Sequence, residues 1–335
     1  MKRIGIICPA EIAYRRFMPA LIKSKEFNFI GIAVADDLEW QGDYNETIRC
    51  SELEKAEMFT KKYGGTVFKN YYSLINSNDV DAIYLPLPPS LHFKWGKSIL
   101  ENGKHLLIEK PSSTNLCDTK KLIEIANRNN LAIHENYMFK YHNQVDYIIN
   151  MMNSGKIGHI RLIRAAFGFP ERKSCDFRYN RSMGGGALLD CGGYPLKLVQ
   201  MLLGNTAKII TSRLNYTSKY NVDIYGTATI ENENGTTAQI SFGMDNSYKC
   251  ELEIWGSKGT IFTNRIFTAP PNLEPIIELK NNDQPTQAIM LKPDDSFCKS
   301  INNFSEQIEN PIERKKSYIE IIKQMEMVES FKNGL

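Results

Sequence analysis

Three short stretches hold residue types able to move a proton beside a transferred hydride. Glu109-Lys110-Pro111 closes the apolar run KHLLI, and Asp190 and Tyr194 stand four apart in GGGALLDCGGYP, a spacing that puts them on one helical face. Moving a hydride to or from a carbinol carbon requires a proton to move at the adjacent oxygen, so a donor must lie within hydrogen-bond reach of it. A tyrosine hydroxyl near a lysine ammonium suits that task, because the positive charge favours its ionisation. The third stretch, Cys8-Pro9-Ala10-Glu11-Ile12-Ala13, stands at a strand-to-helix turn where many α/β chains carry G-x-G-x-x-G, yet Cys8, Ala10 and Ala13 replace all three glycines.

What such a turn retains is the start of a helix. Pro9 removes one N–H and fixes φ, which suits that start, and the N–H groups of Glu11 and Ile12 with the helix dipole can still face a pyrophosphate. Ala10 adds a methyl group at the closest approach, so the pyrophosphate is expected slightly further out. Glu11 is expected to turn to solvent. A helix N-terminus can lower a thiol pKa, but Cys8 reads as a small strand-end residue.

The elements that must position these residues alternate in the βαβ manner over the first 135 or so residues. RIGIIC, FNFIGIAVA, TVFKN, VDAIYLPLP, KHLLIEK and LAIHENY read as strands, with amphipathic helical runs between them. They predict a doubly wound parallel sheet, whose ligands bind at the carboxyl ends of the strands. The stretch DDLEWQGDYNETIRCS after the second strand exceeds the roughly 2–6 residues of a usual βα loop. It either folds over that edge or is a surface excursion pinned by Trp40. From about residue 160 the period changes to two: HIRLIRAAFGF, AKIITSRLNYT, DIYGTATIEN, TTAQISFGM, KCELEIWGS and GTIFTN fit a mostly antiparallel open sheet in an α+β domain, with Asn234-Gly235 as a hairpin signal. GGALLDCGGYPLKLVQMLLG and two terminal segments read as helices. Two domains are expected, 1–135 and 136–335.

Composition excludes several classes. A formal net charge of +3 from 41 basic and 38 acidic residues, dispersed along the chain, gives no sign of a nucleic-acid partner. The seven cysteines are scattered without C-x-x-C pairs or histidines at ligand spacing, so free thiols and no metal are expected. The apolar run Ile4–Cys8 is too short for a signal peptide and no stretch approaches a membrane span, which leads us to expect a cytoplasmic protein.

Taken together and in order, the N-terminal IGIICPAEIA, the segment from Asp81 to Pro111 and the run from Gly184 to Pro195 closely resemble the glucose-fructose oxidoreductase, inositol dehydrogenase and rhizopine-catabolism (Gfo/Idh/MocA) family of NAD(P)-dependent oxidoreductases, across essentially the whole chain. The resemblance implies an N-terminal Rossmann domain and a C-terminal substrate-binding domain that forms homodimers or homotetramers through its open sheet. It implies that Lys110 lies beside the nicotinamide and polarises the reacting oxygen while Tyr194 exchanges the proton. Asp190 orients the lysine or binds a neighbouring hydroxyl. Cys8, Pro9, Ala10, Glu11, Ile12, Leu85, Pro86, Pro88, Glu109 and Lys110 fall on the cofactor side, and Asn136, Arg178 and Tyr194 on the substrate side. Two readings stand for His92, a cofactor-side residue or a core histidine, and two for Arg178, a substrate or phosphate contact or a salt bridge to an acidic neighbour. Tyrosine at 194, where many members carry histidine, is similar to the branch holding glucose-fructose oxidoreductase and deoxysugar ketoreductases.

Asp36-Asp37 ends the second strand, where a carboxylate binds ribose hydroxyls and repels a 2′-phosphate, so NAD(H) is favoured. Arg49 or a lysine of the long loop keeps NADP(H) open. A sugar or nucleotide-sugar oxidoreductase is the leading reading; the alternative is a cofactor- or sugar-sensing binding protein of the same fold that has lost catalysis.

Overall fold

The computed structural model describes residues 1–42, 44–282 and 284–334. They form two compact units, Met1–Asn136 with Phe297–Ile322, and Tyr137–Ser296 with Lys323–Leu335.

The first unit alternates strand and helix: β1 (Lys2–Ile7), α1 (Met18–Ser24), β2 (Phe27–Ala33), α2 (Glu46–Tyr63), β3 (Thr66–Phe68), α3 (Tyr71–Ile75), β4 (Ala82–Leu85), α4 (Pro89–Glu101), β5 (His105–Ile108), α5 (Leu116–Arg128) and β6 (Ile133–Glu135). The strands pair in the order β3-β2-β1-β4-β5-β6, all parallel, so the winding direction reverses between β1 and β4. Every residue of β4 is buried, as expected of a strand with both faces covered. Trp95 of α4, fully buried, meets the edge of Tyr71 at 5.0 Å between ring centroids, within a core that includes Leu74, Ile83, Ile99 and Leu122. Burying each such side chain contributes roughly 1.5–3 kcal/mol. The helix expected from Glu11 onward is continuous but widens to π-type hydrogen bonding over Ala13–Phe17 before α1.

The second unit holds α6 (Asn143–Asn153), β7 (Ile160–Gly168), a π-type turn over Leu188–Gly192, α7 (Gly193–Leu203), β8 (Lys208–Tyr216), β9 (Asp223–Glu231), β10 (Thr237–Gly243), β11 (Lys249–Gly256), β12 (Gly259–Thr263), β13 (Ile276–Asn281) and β14 (Gln287–Met290). Its sheet runs β14-β13-β12-β11-β7-β10-β9-β8, antiparallel except where β7 and β10 run parallel. Strands β13 and β14 extend the sheet beyond the strands expected. Alternation buries Ile163, Ala165 and Phe167 of β7, with Leu252 and Ile254 of β11, on the covered side. The Asn234-Gly235 signal lies in a longer loop, Asn232–Thr236, closed by Asn232 Oδ1 accepting from the Asn234 and Thr236 N–H groups at 3.1 and 3.0 Å.

A single cut between 135 and 136 does not describe this division, because α8 (Ser296–Glu309) and the first half of α9 (Pro311–Asn333) complete the first unit. Phe304 stacks on Phe27 at 5.5 Å, Ser305 donates to Glu26 at 2.7 Å, and Tyr318 donates to the Leu131 carbonyl at 2.5 Å. Among the described residues no helix is long and apolar enough to cross a membrane.

Candidate active site

In the first unit the predicted residues gather in the loops that follow β1, β2, β4, β5 and β6. After β1, Cys8 adopts φ +73°, the left-handed conformation that a glycine would take there without penalty. Its N–H donates to Ala33 O at 3.0 Å and its carbonyl accepts from Ala10 N–H at 2.9 Å, so the tight bend survives without glycine. Tyr14 N–H donates to Ala10 O at 3.1 Å, which starts the helix at Glu11 and leaves the N–H groups of Glu11 and Ile12 outside that ladder. Glu11 is exposed and pairs with Arg15 at 2.8 Å. Burial pushes the Cys8 thiol up to about 12, with Glu52 adding to the rise, which overrides any lowering by the helix end.

Asp36 spends its carboxylate locally. One oxygen accepts from Leu38 and Glu39 N–H at 3.1 Å each, and the other accepts from Asn70 Nδ2 at 2.7 Å; Asp37 is exposed. The residue that organises this loop is Glu39, which sequence reasoning did not single out. Buried at 3% exposure, it accepts from Tyr71 and Tyr72 N–H at 2.8 and 2.9 Å and so caps α3. Burial raises its pKa against those bonds. Trp40 packs on the core beside it. The loop is thereby tied to the sheet's own unit. Arg49 lies on α2, 3.9 Å from Glu46.

The segments after β4, β5 and β6 are locked to one another. His92 is a core histidine: wholly buried, it lies 2.7 Å from both the Pro111 and Leu87 carbonyl oxygens, one at each ring nitrogen. Burial lowers its pKa to about 4 although both carbonyls favour the cation. Through these two contacts it ties the loops after β4 and β5 together. Pro88 and Pro89 start α4 just after Leu85 and Pro86, both buried. Glu109 accepts from Tyr84 Oη and from Asn136 Nδ2, both at 2.7 Å, and the Lys110 ammonium next to it offsets part of the pKa rise that burial causes. Asn136, expected on the substrate side, donates through Nδ2 to Glu109, and its oxygen accepts from Ser300 Oγ at 2.8 Å. Glu135 accepts the Ser112 N–H at 2.7 Å.

In the second unit Arg178 donates through Nε to Asp190 at 2.7 Å and through Nη1 to Asp176 at 3.1 Å. Burial opposes the guanidinium charge, but the two carboxylates outweigh it and hold its pKa above the ordinary value. Arg178 thus makes ion pairs with two acidic neighbours, Asp190 and Asp176. Tyr194, 7% exposed, begins α7 inside an aromatic box: Phe167, Tyr137, Phe139 and Phe267 have ring centroids 5.1, 5.3, 5.8 and 5.9 Å away. A Cβ on Gly193 would come within 2.0 Å of Tyr137 Oη, so glycine permits this packing. The π-type turn ahead of it rotates Asp190 relative to Tyr194 from a plain helical offset, a local irregularity frequent at functional sites. Asp223 accepts Leu188 N–H at 2.6 Å, anchoring the turn's start.

A parallel sheet with its switch point beside a modified phosphate turn, followed by a large open sheet, is the architecture of a two-domain, nicotinamide-dependent oxidoreductase. The chain belongs to the GFO/IDH/MocA oxidoreductase family: residues 46–137 match the oxidoreductase family model with the NAD-binding Rossmann fold, and 145–262 match the GFO/IDH/MocA C-terminal domain. Among curated proteins it is 32% identical over 99% of its length, and 95% of the relative's, to the dTDP-3,4-didehydro-2,6-dideoxy-alpha-D-glucose 3-reductase of Actinomadura kijaniata. It is also 32% identical, over 91% of this chain and 87% of the relative, to the enzyme of the same description from Saccharopolyspora spinosa. A solved structure of the Actinomadura 3-ketoreductase KijD10 with NADP and TDP-benzene superposes with a TM-score of 0.91 at 32% identity, covering 99% of this chain and 97% of that one. Solved variants of the same protein replace a tyrosine by phenylalanine and a lysine by alanine.

Proposed function

We propose that this oxidoreductase reduces the keto group of a nucleotide-linked deoxysugar, with Lys110 polarising the substrate oxygen and Tyr194 supplying its proton. The observation that carries the reading is the full-length likeness to reductases whose substrates are dTDP-linked 3-keto sugars, together with a buried tyrosine at the start of α7. NAD(P)H supplies the hydride when bound. The residues present fit it: the left-handed Cys8 makes the bend, the Glu11 and Ile12 N–H groups at the helix start would hold its pyrophosphate, and Lys110 follows β5. A carboxyl group at Asp36 favours NAD(H), but its oxygens already have three protein donors, and the similar solved structure holds NADP. We therefore read NADP(H) as accepted too.

The test is reduction of a dTDP-linked 3-keto-deoxysugar followed by loss of NADH and NADPH absorbance, for wild type, Lys110→Ala and Tyr194→Phe. Turnover abolished in both variants supports the assignment. Cofactor and sugar-nucleotide binding with no turnover in wild type replaces it with the sensor alternative.

The uncovered face of the second unit's sheet supports a homodimer or homotetramer. A trough of about 540 Å³ there is lined by Arg164, Arg213 and Lys249 with Glu251 and Glu253, a mixed-charge surface able to meet a second copy of itself. Sedimentation of wild type and Arg164→Glu tests this. Seven free thiols suit a reducing, cytoplasmic setting.

A further inference from the structure

The loop after β2 and the start of α3 meet at three side chains of the first unit, Asp36, Glu39 and Asn70. Glu39 holds both segments with one carboxyl group: Oε2 accepts from Asp36 N–H at 3.3 Å and from Tyr71 N–H at 2.8 Å, and Oε1 accepts from Tyr72 N–H at 2.9 Å. Asn70 is the N-cap of α3, and its oxygen accepts from Ser73 N–H at 2.8 Å. That bond settles which end of the amide faces Asp36. Nδ2 donates to Asp36 Oδ2 at 2.7 Å, a contact the cap itself does not need.

A carboxyl group that only accepts offers about four positions, two on each oxygen. At Asp36 the Leu38 and Glu39 N–H groups, both at 3.1 Å, fill Oδ1, and Asn70 takes one of the two positions on Oδ2. One position is left. At the end of the second strand of such a sheet an acidic side chain accepts from the ribose hydroxyls of a dinucleotide and disfavours a 2′-phosphate. With one position left, Asp36 can take one hydroxyl of the ribose diol and not the pair, and its three donors offset its repulsion of a phosphate. Two of those donors are the loop's own backbone, so Asn70 is the side-chain donor among them.

We propose that Asn70 is a positioning residue that sets cofactor choice through Asp36: its amide occupies the acceptor position a second ribose hydroxyl would use, and so lets NADPH compete with NADH. The proposal rests on the nicotinamide-dependent reading given above. Glu39 keeps the two side chains in register, because the same carboxyl group holds the Asp36 backbone and the first turn of the helix that Asn70 caps.

Fluorescence titration of NADH and NADPH into wild type, Asn70→Ser, Asp36→Ala and the double variant tests this with no sugar substrate present. Serine keeps an N-cap acceptor but is an atom too short to donate where Nδ2 does. Asn70→Ser should melt with wild type and raise the ratio of the NADPH to the NADH dissociation constant roughly five- to tenfold, the worth of one hydrogen bond gained by the ribose. Added to Asp36→Ala, it should leave that variant's ratio where it stands. A ratio in Asn70→Ser equal to or below that of wild type overturns the proposal, as does an equal rise in the Asp36→Ala background, where the acceptor is gone. Should Asn70→Ser not fold, Asn70→Thr, which also caps through a hydroxyl, makes the same comparison. Binding of neither nucleotide by wild type refutes the nicotinamide reading and this proposal with it, whereas an unmoved ratio in a protein that binds both leaves the assigned reaction untouched.

Discussion

Arg178 donates through Nε to Asp190 at 2.7 Å, and this bond helps orient the aspartate ahead of Tyr194. Both side chains are largely enclosed, at 22% and 12% exposure. Removing the arginine takes from the partly buried Asp190 carboxylate the Nε–H that it accepts at 2.7 Å. Arg178→Ala should cost about 1.5–3 kcal/mol, and Arg178→Lys part of that because lysine lacks the fork that reaches Asp190 and Asp176 together. Chemical denaturation of the two variants and Asp190→Asn measures it; a double-mutant coupling near zero would show that the pair does not stabilise the unit.

Tyr194→Phe preserves the ring that fills the aromatic box and removes only the hydroxyl. We expect an unchanged melting temperature with kcat reduced on the order of 10²–10⁴-fold, the range for a lost general acid. Unaltered single-turnover rates would transfer the proton donation to another group.

Gly193→Ala places a methyl group where Tyr137 Oη lies 2.0 Å away. Tyr137 must shift, and its ring edge contacts Tyr194 at 5.3 Å, so stability should drop by about 1–3 kcal/mol and activity with it. A partial recovery in Gly193→Ala with Tyr137→Phe, which removes the clashing oxygen, is the expected signature. If the double variant is no better than the single, the crowding lies elsewhere.

Two histidines give the stability a pH dependence of known sign. His105 Nδ1 accepts the Ala132 N–H at 3.0 Å, which requires that nitrogen unprotonated, and burial pushes its pKa down to about 4; burial does the same at His92. Unfolded, each takes up a proton near pH 6.5, so between about 6.5 and about 4 the unfolded state binds more protons and stability falls as the pH is lowered. The contribution is on the order of a few kcal/mol at the acid end. Urea melts across that window should show a shallower slope for His105→Gln than for wild type, and parallel slopes would contradict it.

The parallel sheet was legible because strands buried on both faces read as continuous apolar runs, as AIYL and HLLI do. Strands β13 and β14 were not, since PIIELKNN and TQAIML are short segments at the sheet's end whose apolar residues are too few to reveal a period. Lys110, Asp190 and Tyr194 stood out by type and order. Glu39 did not: an acidic residue in a polar loop looks alike whether it is solvated or capping a helix 32 positions on. The turn position of Cys8 was legible, but its left-handed backbone was not, because cysteine rarely adopts it and the bonds to Ala33 and Ala10 that hold it there are not visible in the residue type. The partnership of Asn136 with Ser300, 164 positions apart, depends on where an amphipathic helix docks, and amphipathicity names a face without naming its partner.

That docking has a consequence for synthesis. A ribosome delivers the sheet strands first, yet Phe297–Ile322, which supply Ser300, Phe304 and Tyr318 to the same unit, emerge only after Tyr137–Ser296 of the second unit. The first unit is begun early and completed late, so the nascent chain must hold an incomplete apolar surface while Tyr137–Ser296 is made. Emergence of Phe297–Ile322 is the event that closes it.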